Sequence, residues 1–240
     1  MAEHPPDIFA TTRWTAVLTA GRSETTRARR ALAELCQTYW FPLYAYARRR
    51  GHGPHDAEDI TQGFFERLLE LKSLSAVTRE KGKFRAFLLG SMNHYLAAEH
   101  ERATAQKRDI NRTISLDAEA AEHRYLHEPV DERSPESIYE RQWAMTLLET
   151  VVQRLHREYE STGRGALFLE LRFTIAMEGR EAPYPEIAAR LAMSEEALRV
   201  AVHRLRKRYR QMLRDEIAHT VTEESEVAGE LDYLRRVFSS

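Results

Sequence analysis

Residues 184–210 constrain the fold of this chain more than any other stretch. They read Tyr-Pro-Glu-Ile-Ala-Ala-Arg-Leu-Ala-Met-Ser-Glu-Glu-Ala-Leu-Arg-Val-Ala-Val-His-Arg-Leu-Arg-Lys-Arg-Tyr-Arg. Ile187, Ala188 and Leu191 recur at helical spacing and predict the buried face of a short first helix. Ala188 and Ala189 are small enough for a second helix to cross closely. Ala192 and Met193 make a turn. Ser194 has the chemistry of an N-cap, and Glu195 and Glu196 follow where a helix dipole favours negative charge. Leu198, Ala201, Val202, Leu205, Tyr209 and Met212 then repeat with helical period and predict a core face. Arg199, His203, Arg206, Lys207 and Arg210 share the opposite face. This is a helix-turn-helix pattern. Between Arg199 and Arg214 stand seven Lys and Arg and no acid, the cation density that phosphate contact and counterion release require. Arg199 and His203, nearer the helix start, are better placed for base edges. A basic surface helix on an ordinary bundle is the competing reading.

The remaining residues also carry a helical period. With 10 Gly and 8 Pro in 240 residues, the chain is poor in the turn residues an all-β fold needs. A short helix is expected over 11–20, capped by Thr12, with Trp14, Val17 and Leu18 on its apolar face. The period resumes from Arg27 to Arg50, with an interruption expected at Pro42. Gly51-His52-Gly53-Pro54 is a breaker. Asp56 opens the next helix, with Glu58 and Asp59 in its first turn and Ile60, Phe64 and Leu68 on its apolar stripe. A long helix is predicted from about Phe84 to Lys107. Residues 109–135 lose the period, carry Pro129 and Pro135, and read as a linker. Ser134-Pro135-Glu136 is a helix start with Pro at the first position. That helix runs to about Tyr159 and ends at Ser161-Thr162-Gly163. A further apolar helix is expected over 166–177.

Charge is distributed in blocks. Residues 1–109 sum to +4, 110–140 to −5, 141–218 to +3 and 219–240 to −3. Two basic blocks around an acidic one suggest two domains on a tether and suit a polyanionic partner. With 42% hydrophobic residues the chain can bury a core, and its one cysteine, Cys36, excludes an internal disulfide and a cysteine-based zinc site. No apolar run approaches the roughly 18–20 residues that span a bilayer. Met1–Ile8 lacks the apolar stretch of a signal peptide. A soluble cytoplasmic protein is expected.

Three segments together resemble the extracytoplasmic-function sigma factors, the small two-domain promoter-specificity subunits of bacterial RNA polymerase. The first is Pro42-Leu43-Tyr44-Ala45-Tyr46-Ala47-Arg48-Arg49 followed by Asp56-Ala57-Glu58-Asp59-Ile60-Thr61-Gln62-Gly63-Phe64-Phe65. The second is Gly82-Lys83-Phe84-Arg85-Ala86-Phe87-Leu88, continuing to Ala103–Arg108. The third is the helix-turn-helix, ending in His203-Arg204-Leu205-Arg206-Lys207-Arg208. The resemblance covers about residues 10–215. It implies an all-α fold of two small helical domains joined by an acidic linker. Residues 1–108 would be the domain that docks on core polymerase and engages the minus-ten element. Residues 109–135 would be the linker, and 136–215 the helix-turn-helix domain for the minus-thirty-five element. Residues 216–240 are an extension past the usual family end.

The resemblance also implies site residues. Asp56, Glu58, Asp59 and Gln62 would meet the clamp helices of the polymerase β′ subunit. Ile60 and Phe64 would pack nearby or simply fill the core. Lys83, Arg85, Asn93, His94, Arg102, Lys107 and Arg108 would hold the melted minus-ten strand, which needs cations for phosphates and aromatics for stacking. Phe84, Phe87 and Tyr95 could stack on bases, though core positions suit them better. Ser194, Arg199, His203, Arg204, Arg206 and Lys207 would read the minus-thirty-five element. The implied partners are core polymerase, through its β′ clamp helices and β flap, and promoter DNA. An anti-sigma factor, a Ser/Thr kinase acting on Thr61 or elsewhere, and self-inhibition by the tail stay open as regulators. The tail could form an amphipathic turn or two through Leu231, Leu234, Val237 and Phe238. Asn93, Ala192, Val200 and Ala201 depart from the usual family residues and bear on base preference. A monomer is expected when free.

An enzyme is a poor alternative. His52, His55, Asp56, Glu58 and Asp59 cluster in sequence, but no H-x-x-x-H or H-E-x-x-H spacing occurs. No G-x-x-x-x-G-K loop and no G-x-S-x-G elbow occurs either. No cofactor and no metal are expected. The stronger alternative is a free-standing helix-turn-helix regulator that never touches polymerase. Such a protein would normally be a dimer on a palindrome, and no long heptad seam is visible.

Overall fold

The computed structural model describes residues 26–70, 83–105, 116–126, 134–175, 184–221 and 223–239. The protein is all-α, with no strand among the described residues. Among the described residues nine α-helices follow in order: α1 Thr26–Arg49, α2 Pro54–Glu70, α3 Phe84–Ala105, α4 Leu116–Leu126, α5 Pro135–Ser161, α6 Gly165–Leu171, α7 Tyr184–Arg190, α8 Glu195–Ala218 and α9 Glu224–Ser239. A 3-10 turn, Arg172–Ile175, follows α6. The helix expected over 11–20 lies outside the described residues. No described helix is long and apolar enough to cross a membrane.

Contacts divide the chain into two compact units. One comprises Met1–Thr146 with Ile217–Ser240, the other Leu147–Glu216. The division falls inside α5 and near the end of α8, and it groups the carboxy-terminal extension with the amino-terminal half.

The first unit is built on aromatic packing. Tyr39, Leu43 and Tyr44 of α1, Phe64 and Leu68 of α2, Phe84, Leu88 and Met92 of α3, and Tyr139 and Trp143 of α5 are all buried. Tyr39 meets Phe84 edge-on at 5.0 Å between ring centroids, and Phe64 meets Tyr95 likewise at 5.9 Å, the geometry that ring quadrupoles favour. Gly63 permits close approach to Tyr95, since a Cβ there would lie 2.6 Å from its hydroxyl. Phe84, left open as a stacking residue, is wholly buried, while Phe87 and Tyr95 are half-buried.

α2 begins at Pro54 rather than Asp56, the helix expected over 166–177 passes into a 3-10 turn at Arg172, and the tail forms a 16-residue helix rather than a turn or two. Two further elements differ from expectation more deeply. α1 runs through Pro42. A helix-interior proline costs about 3 kcal/mol, but Tyr39 to Ala47 are nearly all buried, and their apolar burial outweighs one lost backbone bond. The second difference is α4, which lies inside the stretch expected to be a linker. Its Ala121 is buried, and its Glu122 accepts two hydrogen bonds from the Arg48 guanidinium, at 2.7 and 2.8 Å, and one from the Tyr44 hydroxyl at 2.6 Å. Arg124 stacks over Phe41 at 4.1 Å. The helix is held by charge and cation–π contacts rather than by an apolar stripe, so periodicity has little to register.

α9 closes the first unit. Val227, Leu234 and Val237 are buried, Leu231 is half-buried and Phe238 is 42% exposed. The Phe84 N–H, an orphan donor at the start of α3, donates to the Thr220 carbonyl at 3.2 Å.

The second unit packs Val151, Leu155 and Tyr159 of α5 with Phe168 and Leu171 of α6, Ile187 and Ala188 of α7, and Leu198, Val202, Leu205 and Met212 of α8. Tyr184, Leu191, Ala201 and Tyr209 pack at its edge.

Candidate nucleic-acid interface

Helix α7, the four residues Leu191–Ser194 and helix α8 succeed one another as the sequence pattern requires. Two local features set the turn. The Ala192 N–H donates to the Ala189 carbonyl at 3.2 Å and the Met193 N–H to the Ala188 carbonyl at 3.0 Å. This pair of bonds is the Schellman closure of a helix end, and it places Ala192 in the left-handed region, at φ +50°. Ser194 then caps α8. Its Oγ accepts from the Ala197 N–H at 3.2 Å and its carbonyl from the Leu198 N–H at 3.0 Å.

The two faces of α8 separate by chemistry. Leu198, Val202, Leu205 and Met212 are buried. Arg199, His203, Arg204, Lys207 and Arg210 are exposed. Two basic residues of the run are turned to structural use. Arg206 is half-buried and donates from Nε to the Thr174 carbonyl at 3.0 Å. Arg208 grips Glu158 through Nε and Nη2, the latter at 2.6 Å. The Arg208 guanidinium beside Glu158 holds that carboxyl below the usual carboxylate range. Arg199 lies with its guanidinium carbon 4.6 Å above the Tyr184 ring and its Nη2 4.0 Å from Glu195. Ser194 is exposed at the head of this face.

A groove of about 510 Å³ opens beside the turn, lined by Tyr159, Arg164, Met193, Val200 and Arg204 among others. Val200 is 44% exposed, although valine usually faces a core. Arg164 stacks over Tyr159 at 5.0 Å. The sequence held one signal for this groove: Val200 is apolar yet lies outside the predicted core face of the helix.

In the first unit, Asp56, Asp59 and Gln62 are exposed on α2 and Glu58 is half-buried. Gln62 donates to Glu66 at 3.0 Å. Ile60 is half-buried and Phe64 is core. Thr61 is fully buried, and its hydroxyl donates to the Ala57 carbonyl at 2.6 Å. A kinase cannot reach it in the folded protein, which argues against a phosphorylation switch at Thr61.

The expected minus-ten set divides. His94 is exposed, and Asn93 is half-buried and accepts a 2.7 Å hydrogen bond from the Tyr46 hydroxyl. Lys107 and Arg108 lie outside the described residues, as does the side chain of Arg102. Arg85 is only 7% exposed. It donates from Nε to Glu230 at 3.0 Å and from Nη1 to Glu140 at 2.5 Å. It also lies over the rings of Tyr233 at 4.0 Å and Trp143 at 5.1 Å. Lys83 is half-buried and ion-paired with Glu230. Arg85 therefore leaves the set of candidate phosphate contacts, because it is buried and three of its donors are held by partners 55 and 145 residues away.

Among the described residues no group of three or more His, Cys, Asp or Glu is placed to hold a metal ion. No family model, curated protein or solved structure matches the chain.

Proposed function

We propose that the chain is a promoter-specificity factor of bacterial RNA polymerase, of the extracytoplasmic-function sigma type, acting in the cytoplasm. It performs no covalent chemistry. It works by differential binding: docking on core polymerase, recognising two promoter elements and stabilising the melted strand. The observation that carries this reading is α8. Its inner side is core, its start is fixed by the Ser194 cap, and its outer side presents Arg199, His203, Arg204 and Lys207 to solvent. A helix of that kind can lie in a major groove, with the early residues on base edges and the later ones on phosphates. Arg206 contributes positive field rather than a free donor fork.

The three-segment resemblance supports the other contacts. Asp56, Glu58, Asp59 and Gln62 meet the β′ clamp helices. The second unit meets the β flap and the minus-thirty-five element. Lys83, Asn93, His94, Arg102, Lys107 and Arg108 attend the minus-ten strand.

The test is binding of the full chain to bacterial core polymerase. Wild type is expected to bind tightly, one to one, and Asp56→Ala/Asp59→Ala to weaken binding at least tenfold. Both side chains are exposed, so the fold should survive the change. No binding by the wild-type chain would overturn the sigma reading and leave a free-standing DNA-binding regulator.

A further inference from the structure

The contact that goes beyond this reading is the one between Tyr184 and Arg199. Tyr184 is the first residue of α7, and its ring packs against the apolar core of its own unit. Its position is thus fixed from below. Arg199 is on the second turn of α8, and its guanidinium carbon sits 4.6 Å from the Tyr184 ring centroid. The Arg199 side chain remains 61% exposed, and the Glu195 carboxylate flanks it at 4.0 Å. An arginine on a free helix surface samples many rotamers and loses that freedom on binding. A guanidinium over an aromatic face is held by cation–π attraction, while its in-plane N–H donors stay directed outward. Those donors match one base edge well: the O6 and N7 acceptors of guanine in the major groove.

We propose that Tyr184 is a positioning residue for Arg199, and that the pair makes the α7–α8 module selective for a guanine in its DNA site. The inference rests on the DNA-binding reading above and names the base which that surface takes. Tyr184 itself need not touch the DNA. His203, one turn further along the same face, and Lys207 beyond it supply the flanking contacts. Loss of the ring would leave Arg199 charged and exposed but unoriented, so attraction to phosphate would persist while discrimination between bases fell.

The experiment selects sites from a randomised duplex library with the full chain, alone and bound to core polymerase. It compares wild type with Tyr184→Phe, Tyr184→Leu and Arg199→Lys. Wild type is expected to require a guanine at one position, with replacement costing about tenfold or more in affinity. Tyr184→Phe keeps the ring face and should keep that preference. Tyr184→Leu and Arg199→Lys should each lose most of it, with total affinity for unrelated DNA changing less than twofold. A Tyr184→Leu variant that still selects the same guanine as strongly overturns the proposal. So does one that weakens all sequences alike, which would mark Tyr184 as a packing residue only. Should wild type select no sequence in either setting, the DNA-binding reading falls together with this inference. Selectivity in wild type that is indifferent to Tyr184 would sink this inference alone.

Discussion

Ala192 shows how one residue can carry a local conflict. Helices α1 and α5 end in the same pair of backbone bonds that ends α7, and there the left-handed position is held by Gly51, at φ +94°, and Gly163, at φ +72°. At the end of α7 the position falls to alanine. An L-residue in that region costs about 1–2 kcal/mol because its Cβ crowds the following carbonyl. Glycine removes the crowding but gives back roughly 0.4–1 kcal/mol through the greater entropy of the unfolded chain. Ala192→Gly should therefore stabilise the protein by about 0.5–1 kcal/mol, visible as a rise in Tm. A fall in Tm would mean that the Ala192 methyl makes a contact worth more than its strain. Thr61 argues the opposite way. It is wholly buried, so Thr61→Glu places a charge in the core without a partner and should cost about 3 kcal/mol or more. Near wild-type thermal stability for that variant would show that the site opens readily.

Among the elements, α9 is tied down by charge as much as by apolar area. Glu230 is 1% exposed and pairs with both Lys83 and Arg85. Removing one member of a buried ion pair strands the other, at about 3–5 kcal/mol. Glu230→Ala should destabilise the first unit by about that amount. Glu230→Gln, which can still accept from Arg85, should cost less. Equal stability of Glu230→Ala and wild type in a denaturant titration would mean that Lys83 and Arg85 find other acceptors. This ion cluster also marks where reading from sequence stops. The caps at Ser134 and Ser194 are legible because each is written within about four consecutive residues, and the two faces of α8 because one helical period runs from Leu198 to Met212; α2 begins at Pro54, two residues before the expected Asp56. The Ser134 Oγ accepts from the Ser137 N–H at 3.2 Å, as the Ser-Pro-Glu start implies. The fate of Arg85 depends on Glu140 and Glu230, which no local pattern connects to it. Helix α4 escaped for the same reason, since its anchors are Arg48 and Tyr44, 74 and 78 residues from Glu122.

At the scale of the whole molecule, placement of tryptophan tells the two units apart, and carboxylates held by arginine set the acid response of the first. Burial pushes the Glu230 carboxyl up, but hydrogen bonds and charge from Arg85 and Lys83 bring it below its ordinary value of 4.5. Burial likewise opposes, and Arg48 and Tyr44 outweigh it, at Glu122. A carboxyl lowered by folding stabilises the fold above its unfolded value, and that stability is lost as pH falls through the folded value. Glu140 runs the other way, since burial raises it, and it takes up a proton first on acidification. The stability of the first unit should therefore decline below about pH 4.5, set by the ordinary glutamate value, and Glu230→Gln should flatten that decline. An unchanged acid profile in the variant would show that Glu230 does not govern it.

The second unit, Leu147–Glu216, contains no tryptophan, while Trp40 and Trp143 belong to the first, so indole emission does not report on the second unit, whereas helical ellipticity reports on both. Glu230→Ala should move the emission midpoint to lower denaturant. Ala192→Gly, within the second unit, should leave that midpoint in place and raise the ellipticity remaining beyond it. Units that carry their own cores can unfold in separate steps, and non-coincident probes are the signature. A single transition, identical by both probes and shifted by both substitutions, would show instead that the two cores stand or fall together.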